Sequence, residues 1–225
     1  MLVKICGVTR VRDAALGAAL GADLIGLNFF AGSPRFVSAR RARAIADRVR
    51  DDVRLVGVFV NASEAKILAT IDDLGLDLVQ LHGDEPPEFV RAFGRRAVKA
   101  FPLGTQRDLE RLSLYPCPNF HLVDARTPER GGSGQRADWS LASEAATSYR
   151  IVLAGGLTPE TVAAAIQAVR PHGVDVASGV ESAPGIRRAK NGSLYPCRER
   201  VAANLELICS LRTPRRSRCR RASSL

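Results

Sequence analysis

Along the chain, short apolar runs alternate with stretches in which apolar residues recur every three or four positions. The runs at 2–6, 24–29, 55–60, 76–81, 96–101, 120–124, 151–153 and 174–177 are rich in β-prone residues and bounded by turn formers, which predicts a strand at each. Between them the helical spacing predicts helices at 10–20, 38–50, 63–74, 85–93, 106–112, 139–147 and 159–169. Several have recognisable starts. Ser38 and Ser63 stand at N-cap positions, and Thr158 precedes Pro159, a proline placed where a helix tolerates one.

Strands that are apolar almost throughout, each separated from the next by a helix, belong in a parallel sheet whose outer face is covered. Eight such units close into a single (β/α)8 TIM barrel, the expected fold class here. A doubly wound open sheet is the competing arrangement. The first strand is not followed by Gly-x-Gly-x-x-Gly, and the strand spacing is regular throughout, which favours the barrel. We expect one barrel domain over 1–211, its last helix atypical from about 186, and a basic, disordered tail over 212–225.

Composition adds limits. At 46% hydrophobic and 25% charged the chain can bury a sizeable core. It has no apolar run of membrane-spanning length, and its first residues lead straight into a strand, so a cytoplasmic location is the default expectation. The five cysteines include no Cys-x-x-Cys pair and are odd in number, suggesting neither a zinc site nor a disulfide framework. No metal or other cofactor is expected. The net charge of +10 invites a polyanion partner until it is located: nine of those charges fall within 186–225, leaving the globular part nearly neutral. We expect neither nucleic acid nor membrane as a partner of the barrel.

In a barrel of this kind the chemistry lies at the C-terminal ends of the strands. That rim carries the unusual residues: Cys6, Asn28, His82, Asp124, Gly155-Gly156 and Ser178-Gly179. Cys6 could be a buried thiol acting as a small hydrophobe. Strand alternation, however, puts Lys4 on its face, where an ammonium would favour a thiolate and make Cys6 a base or nucleophile. Asp124 could cap a loop or pair with Arg126, or, partly buried, hold a proton as general acid. Each glycine pair could form a tight turn. Two pairs on adjacent loops, each next to a helix start, also read as a backbone cradle for a phosphate. Gln80 and His82 point inward together, either to hold substrate or to order the rim. A matched acid and base suggest proton-transfer chemistry such as isomerisation.

Lys4-Ile5-Cys6-Gly7-Val8-Thr9, Val56-Gly57-Val58-Phe59-Val60-Asn61, Val79-Gln80-Leu81-His82-Gly83-Asp84, Leu122-Val123-Asp124-Ala125, Gly131-Gly132-Ser133-Gly134, Ala154-Gly155-Gly156-Leu157 and the run from Gly173 to Glu181 resemble, in order, phosphoribosylanthranilate isomerase of tryptophan biosynthesis. The resemblance runs from Lys4 to about Gly185. It implies an Amadori rearrangement of N-(5-phosphoribosyl)anthranilate to 1-(2-carboxyphenylamino)-1-deoxyribulose 5-phosphate, with Cys6 as general base and Asp124 as general acid. It also implies substrate contacts from Arg35, which fits the anthranilate carboxylate, and from Gln80, His82, Gly155, Gly156, Ser178, Gly179 and Glu181. The expected partner is that small phosphorylated substrate, and the expected assembly a monomer or homodimer.

The chain departs from the family pattern after Pro184-Gly185. Where an acidic residue should open the last helix, it reads Ile186-Arg187-Arg188-Ala189-Lys190. Val201, Leu205, Ile208 and Leu211 share one helical face, so a late helix over 198–211 is expected. A catalytically impaired phosphate-binding barrel is therefore the alternative reading.

Overall fold

The computed structural model describes residues 1–115, 119–125, 138–181 and 184. The expected helix over 198–211, the tail over 212–225, Arg126 and the Gly131–Gly134 run lie outside the described residues.

Eight parallel strands form a closed barrel in sequence order. They are β1 Leu2–Cys6, β2 Leu24–Asn28, β3 Arg54–Phe59, β4 Leu78–Leu81, β5 Ala97–Leu103, β6 Phe120–Ala125, β7 Ile151–Leu153 and β8 Gly173–Val176. The intervening helices are α1 Val11–Ala19, α2 Ala39–Val49, α3 Glu64–Leu74, α4 Pro87–Ala92, α5 Gln106–Arg111, α6 Trp139–Ser148 and α7 Pro159–Val169. Closure is made by β1 against β8, with Lys4 opposite Asp175.

Strand alternation divides the core in two. Leu24, Val56, Leu78, Val98, Phe120, Leu122 and Val152 fill the barrel interior. The residues between them, such as Val3, Ile25, Val79, Val123 and Val174, face outward into the annulus packed by the helices. Two aspartates pin strand starts by one device: Asp23 Oδ2 accepts the Val3 N–H at 2.8 Å, and Asp77 Oδ2 accepts that of Leu55 at 2.7 Å.

Most expected elements hold, and the shifts have local causes. β4 begins at Leu78, after Asp77, whose carboxylate accepts the Leu55 N–H, and Leu76 packs into the space that the absent side chain of Gly57 leaves open. The helix expected from 85 begins at Pro87 because Glu85 belongs to the loop. There its carboxylate accepts the Asn61 and Gly83 N–H groups at 2.9 Å and meets Lys99 Nζ at 3.0 Å. The cap at Ser63 is a true one, its hydroxyl accepting the Lys66 N–H, whereas Ser38 occupies the N-cap position without a capping side-chain bond. Thr158 N donates to Thr161 Oγ1 at 3.0 Å, and Pro159 opens α7 as expected.

Candidate active site

The base candidate sits in a polar group on the inner face of β1. Lys4 is fully buried and its ammonium donates to Asp175 Oδ2 at 2.9 Å. Cys6, half-buried at the strand end, stands one alternation above Lys4. Gly26 of β2, paired with Cys6, makes the room: a Cβ there would lie 3.0 Å from Cys6 Sγ and 3.4 Å from Lys4 Cε. Burial pushes the Cys6 thiol up, Lys4 pulls it down through charge and a hydrogen bond, Asp175 pushes it up, and Arg35 pulls it down. Burial acts against the Lys4 ammonium, but the anionic forms of Asp175 and Cys6 outweigh it and hold Lys4 above the ordinary lysine value.

Across the ring, Asp124, next to last in β6, lies on the inner face and is largely buried. His82 Nε2 lies 4.0 Å from Asp124 Oδ2. His82 is held in turn by Gln80, whose amide nitrogen is 2.8 Å from Nδ1. With the carboxamide oriented this way, Nδ1 accepts and the protonated Nε2 faces the aspartate. The two residues expected to act together at the end of β4 thus join the acid candidate.

Arg35, read from sequence as a loop cation, is buried. The loop is built to present it: Asn28 Nδ2 donates to Ser33 Oγ, and that hydroxyl accepts the Arg35 N–H, both at 3.1 Å. Glu181, from the loop after β8, takes Arg35 Nε at 3.1 Å and Nη2 at 2.8 Å. Both side chains are over nine-tenths out of solvent. A Cβ on Gly7, which has φ +74°, would overlap Arg35 Cδ, so the glycine after Cys6 is the bed on which the guanidinium stem lies. Glu181 uses the Nε/Nη2 edge of the guanidinium. The Nη1/Nη2 edge is the one a second carboxylate would take bidentately.

Gly155 and Gly156 both adopt positive φ, +83° and +61°, a backbone other residues resist. Gly179 of the next loop packs against the residues that follow them, where a Cβ would overlap the Leu157 carbonyl oxygen. Among the described residues, the backbone N–H groups of Gly155, Gly156, Ser178 and Gly179 have no protein acceptor. Such a nest of converging donors suits an anion.

Sequence reasoning missed Asp175, though the signal was there: an acid on an inward-facing position of an apolar strand must find a cation, and Lys4 was the one already placed inside. It also missed the Lys99–Glu85 pair, which anchors the loop after β4 and has Lys99 Nζ bonded to Gly83 O at 2.7 Å.

The family model described as N-(5'-phosphoribosyl)anthranilate (PRA) isomerase matches residues 3–191. The N-(5'-phosphoribosyl)anthranilate isomerase of Pelobacter propionicus is 45% identical over 188 residues, covering 83% of this chain and 90% of that protein. The crystal structure of phosphoribosyl anthranilate isomerase from Thermotoga maritima superposes with a TM-score of 0.80 at 39% identity, over 92% of this chain and 96% of that one. A phosphoribosyl anthranilate isomerase in complex with reduced 1-(o-carboxyphenylamino)-1-deoxyribulose 5-phosphate gives 0.77 at 36% identity, over 93% and 97%. With a closed barrel and its acid, thiol and anion groups on one rim, this chain belongs to the N-(5'-phosphoribosyl)anthranilate isomerase family.

Proposed function

We propose that the protein catalyses the Amadori rearrangement of N-(5-phosphoribosyl)anthranilate in tryptophan biosynthesis, with Asp124 as general acid and Cys6 as general base. The observation that carries these roles is the order of groups around the ring. Asp124 is next to last in β6, the two-loop anion cradle follows β7 and β8, Cys6 ends β1, and Arg35 follows β2. A substrate whose phosphate lies in the cradle has its sugar between acid and base, with the anthranilate carboxylate toward Arg35.

Asp124 protonates the furanose ring oxygen as the C1–O bond breaks and the nitrogen lone pair forms the C1=N iminium. The Cys6 thiolate then removes the proton from C2, and that electron pair forms C1=C2 and neutralises the nitrogen. The resulting enolamine loses the proton of its C2 hydroxyl and gains one at C1, giving the ketone. His82, held by Gln80, orients Asp124. Glu181 fixes Arg35 on one edge so that the other is presented to the substrate. This reading needs no cofactor. It also places the work in the cytoplasm, and among the described residues no helix is long and apolar enough to cross a membrane.

The test is a fluorescence assay in which the purified chain consumes phosphoribosylanthranilate. Turnover is expected. Tight binding of a reduced product analogue without turnover would return the impaired-barrel alternative.

A further inference from the structure

The proposed mechanism uses Cys6 but leaves unexplained why a fully buried lysine and a buried aspartate stand directly beneath it. A lone ammonium with no accessible surface is too costly to keep charged, so Lys4 requires an anion at all times. A thiol that gives and takes a proton supplies one only half the time. Asp175 is the partner the structure supplies, 2.9 Å away and set opposite Lys4 by the β1–β8 register. Its other oxygen, Oδ1, is buried and has no hydrogen-bond partner among the described residues, so Lys4 is the one cation its carboxylate meets there.

We propose that Lys4 and Asp175 are positioning residues for the base: Lys4 is the standing counter-ion of the Cys6 thiolate, and Asp175 holds that ammonium in place whether or not the sulfur carries its proton. The two act on the sulfur with opposite sign. Lys4 makes the thiolate attainable, and Asp175 prevents the ammonium from stabilising it so far that it becomes too weak a base to take a proton from carbon. The arrangement sets a buried carboxylate in the floor of the site, where burial pushes its pKa up and the charge and hydrogen bond of Lys4 pull it down. The other charged group that acts on the sulfur is Arg35, from the loop after β2, itself paired with Glu181. β2 faces Cys6 with Gly26, which carries no charge. This inference rests on the assignment of Cys6 as base, but its test reads the sulfur directly and does not require turnover.

The rate of iodoacetamide alkylation at Cys6, resolved by peptide mass spectrometry, would be followed against pH in the intact chain and in Asp175→Asn and Lys4→Met. The midpoint should move to lower pH in Asp175→Asn and to higher pH in Lys4→Met. In Asp175→Asn the ascending limb of kcat/KM, on which the thiolate forms, should move with it while the plateau of kcat falls at least tenfold, a split that mere loosening of the barrel would not produce. Midpoints that both stay put, or both move the same way, overturn the proposal. Should either variant fail to fold, the unaltered protein still decides: the Lys4 Nζ resonance in a nitrogen-15 titration should shift at the pH where Cys6 becomes reactive. A Lys4 resonance flat through that pH overturns the proposal equally. Opposed midpoint shifts without any turnover in the unaltered chain would sink the isomerase reading and leave the counter-ion arrangement standing.

Discussion

Two neighbouring residues in the same strand show how much of this chemistry depends on what lies opposite a side chain. Cys6 and Lys4 share a face through alternation alone, but the thiol's character is set by burial, by Lys4, by Asp175 seven strands away in sequence order and adjacent in space, and by Arg35. Replacing Cys6 by Ser or Asp124 by Asn should lower turnover by the roughly 10² to 10⁴ typical of a general base or acid while the circular dichroism spectrum is kept. A near-normal rate in either variant would remove that residue from its role. Because the Cys6 thiol is raised by burial, turnover should climb with pH above the range of an ordinary thiol-independent step, as the thiolate forms. Arg35 has its own contrast. Arg35→Ala should weaken product analogues that carry the carboxylate and spare those that lack it, and Glu181→Gln should do the same to a smaller degree, by loosening the guanidinium without removing it. Calorimetric titration of both analogue types separates this from a general collapse of the rim.

At the scale of elements, the barrel was legible because each strand is a short apolar run and each helix carries a stripe, two periods that do not mimic one another. The strand-end residues were legible for the same reason, since Cys6, His82 and Asp124 interrupt or close apolar runs. What the sequence concealed was pairing over long separations. Nothing local ties Arg35 to Glu181 or Lys4 to Asp175, and Glu85 looked like the start of a helix because acidic residues suit helix starts, whereas its partners were two loops and a lysine on the next strand. The two glycine loops were visible, but their mutual contact was not. Gly179→Ala tests that contact: a methyl group there meets the Leu157 carbonyl, so the loops after β7 and β8 must part. We expect binding of inorganic phosphate to be lost and the melting temperature to fall. Unchanged phosphate affinity would move the anion site elsewhere.

For the molecule as a whole, stability is tied to pH by a residue far from the chemistry. His121 lies on the outer side of β6, its Nε2 donating to the Tyr115 carbonyl at 2.8 Å and its ring edge-on to Tyr149. Burial lowers its pKa more than the Tyr115 carbonyl raises it. The unfolded chain therefore takes up a proton here before the native one does, and the neutral ring contributes stability that is fully present above the ordinary histidine value of about 6.5 and is lost as pH falls from there toward the depressed native value. Urea midpoints measured from pH 8 to pH 5 should fall, and the fall should be shallower in His121→Asn. Equal slopes in the two proteins would mean that other groups carry the acid sensitivity.

The seam between the first and last strands has a consequence for how the protein comes into being. Lys4 and Asp175 are 171 residues apart, and bringing such distant points together costs about 4–5 kcal/mol in the length-dependent part of loop closure alone. The thiol's surroundings therefore cannot exist on a partly made or partly folded chain, because the strand that completes them is the last to leave the ribosome. Until then Cys6 behaves as an ordinary cysteine. In refolding, a brief pulse of alkylating reagent at neutral pH and increasing delays should label Cys6 readily until the ring shuts and more slowly afterwards, even while far-ultraviolet circular dichroism has already recovered. If protection instead arrived together with the first helical signal, the ring would close early. The sulfur that serves the chemistry thus also keeps time for the assembly of the barrel.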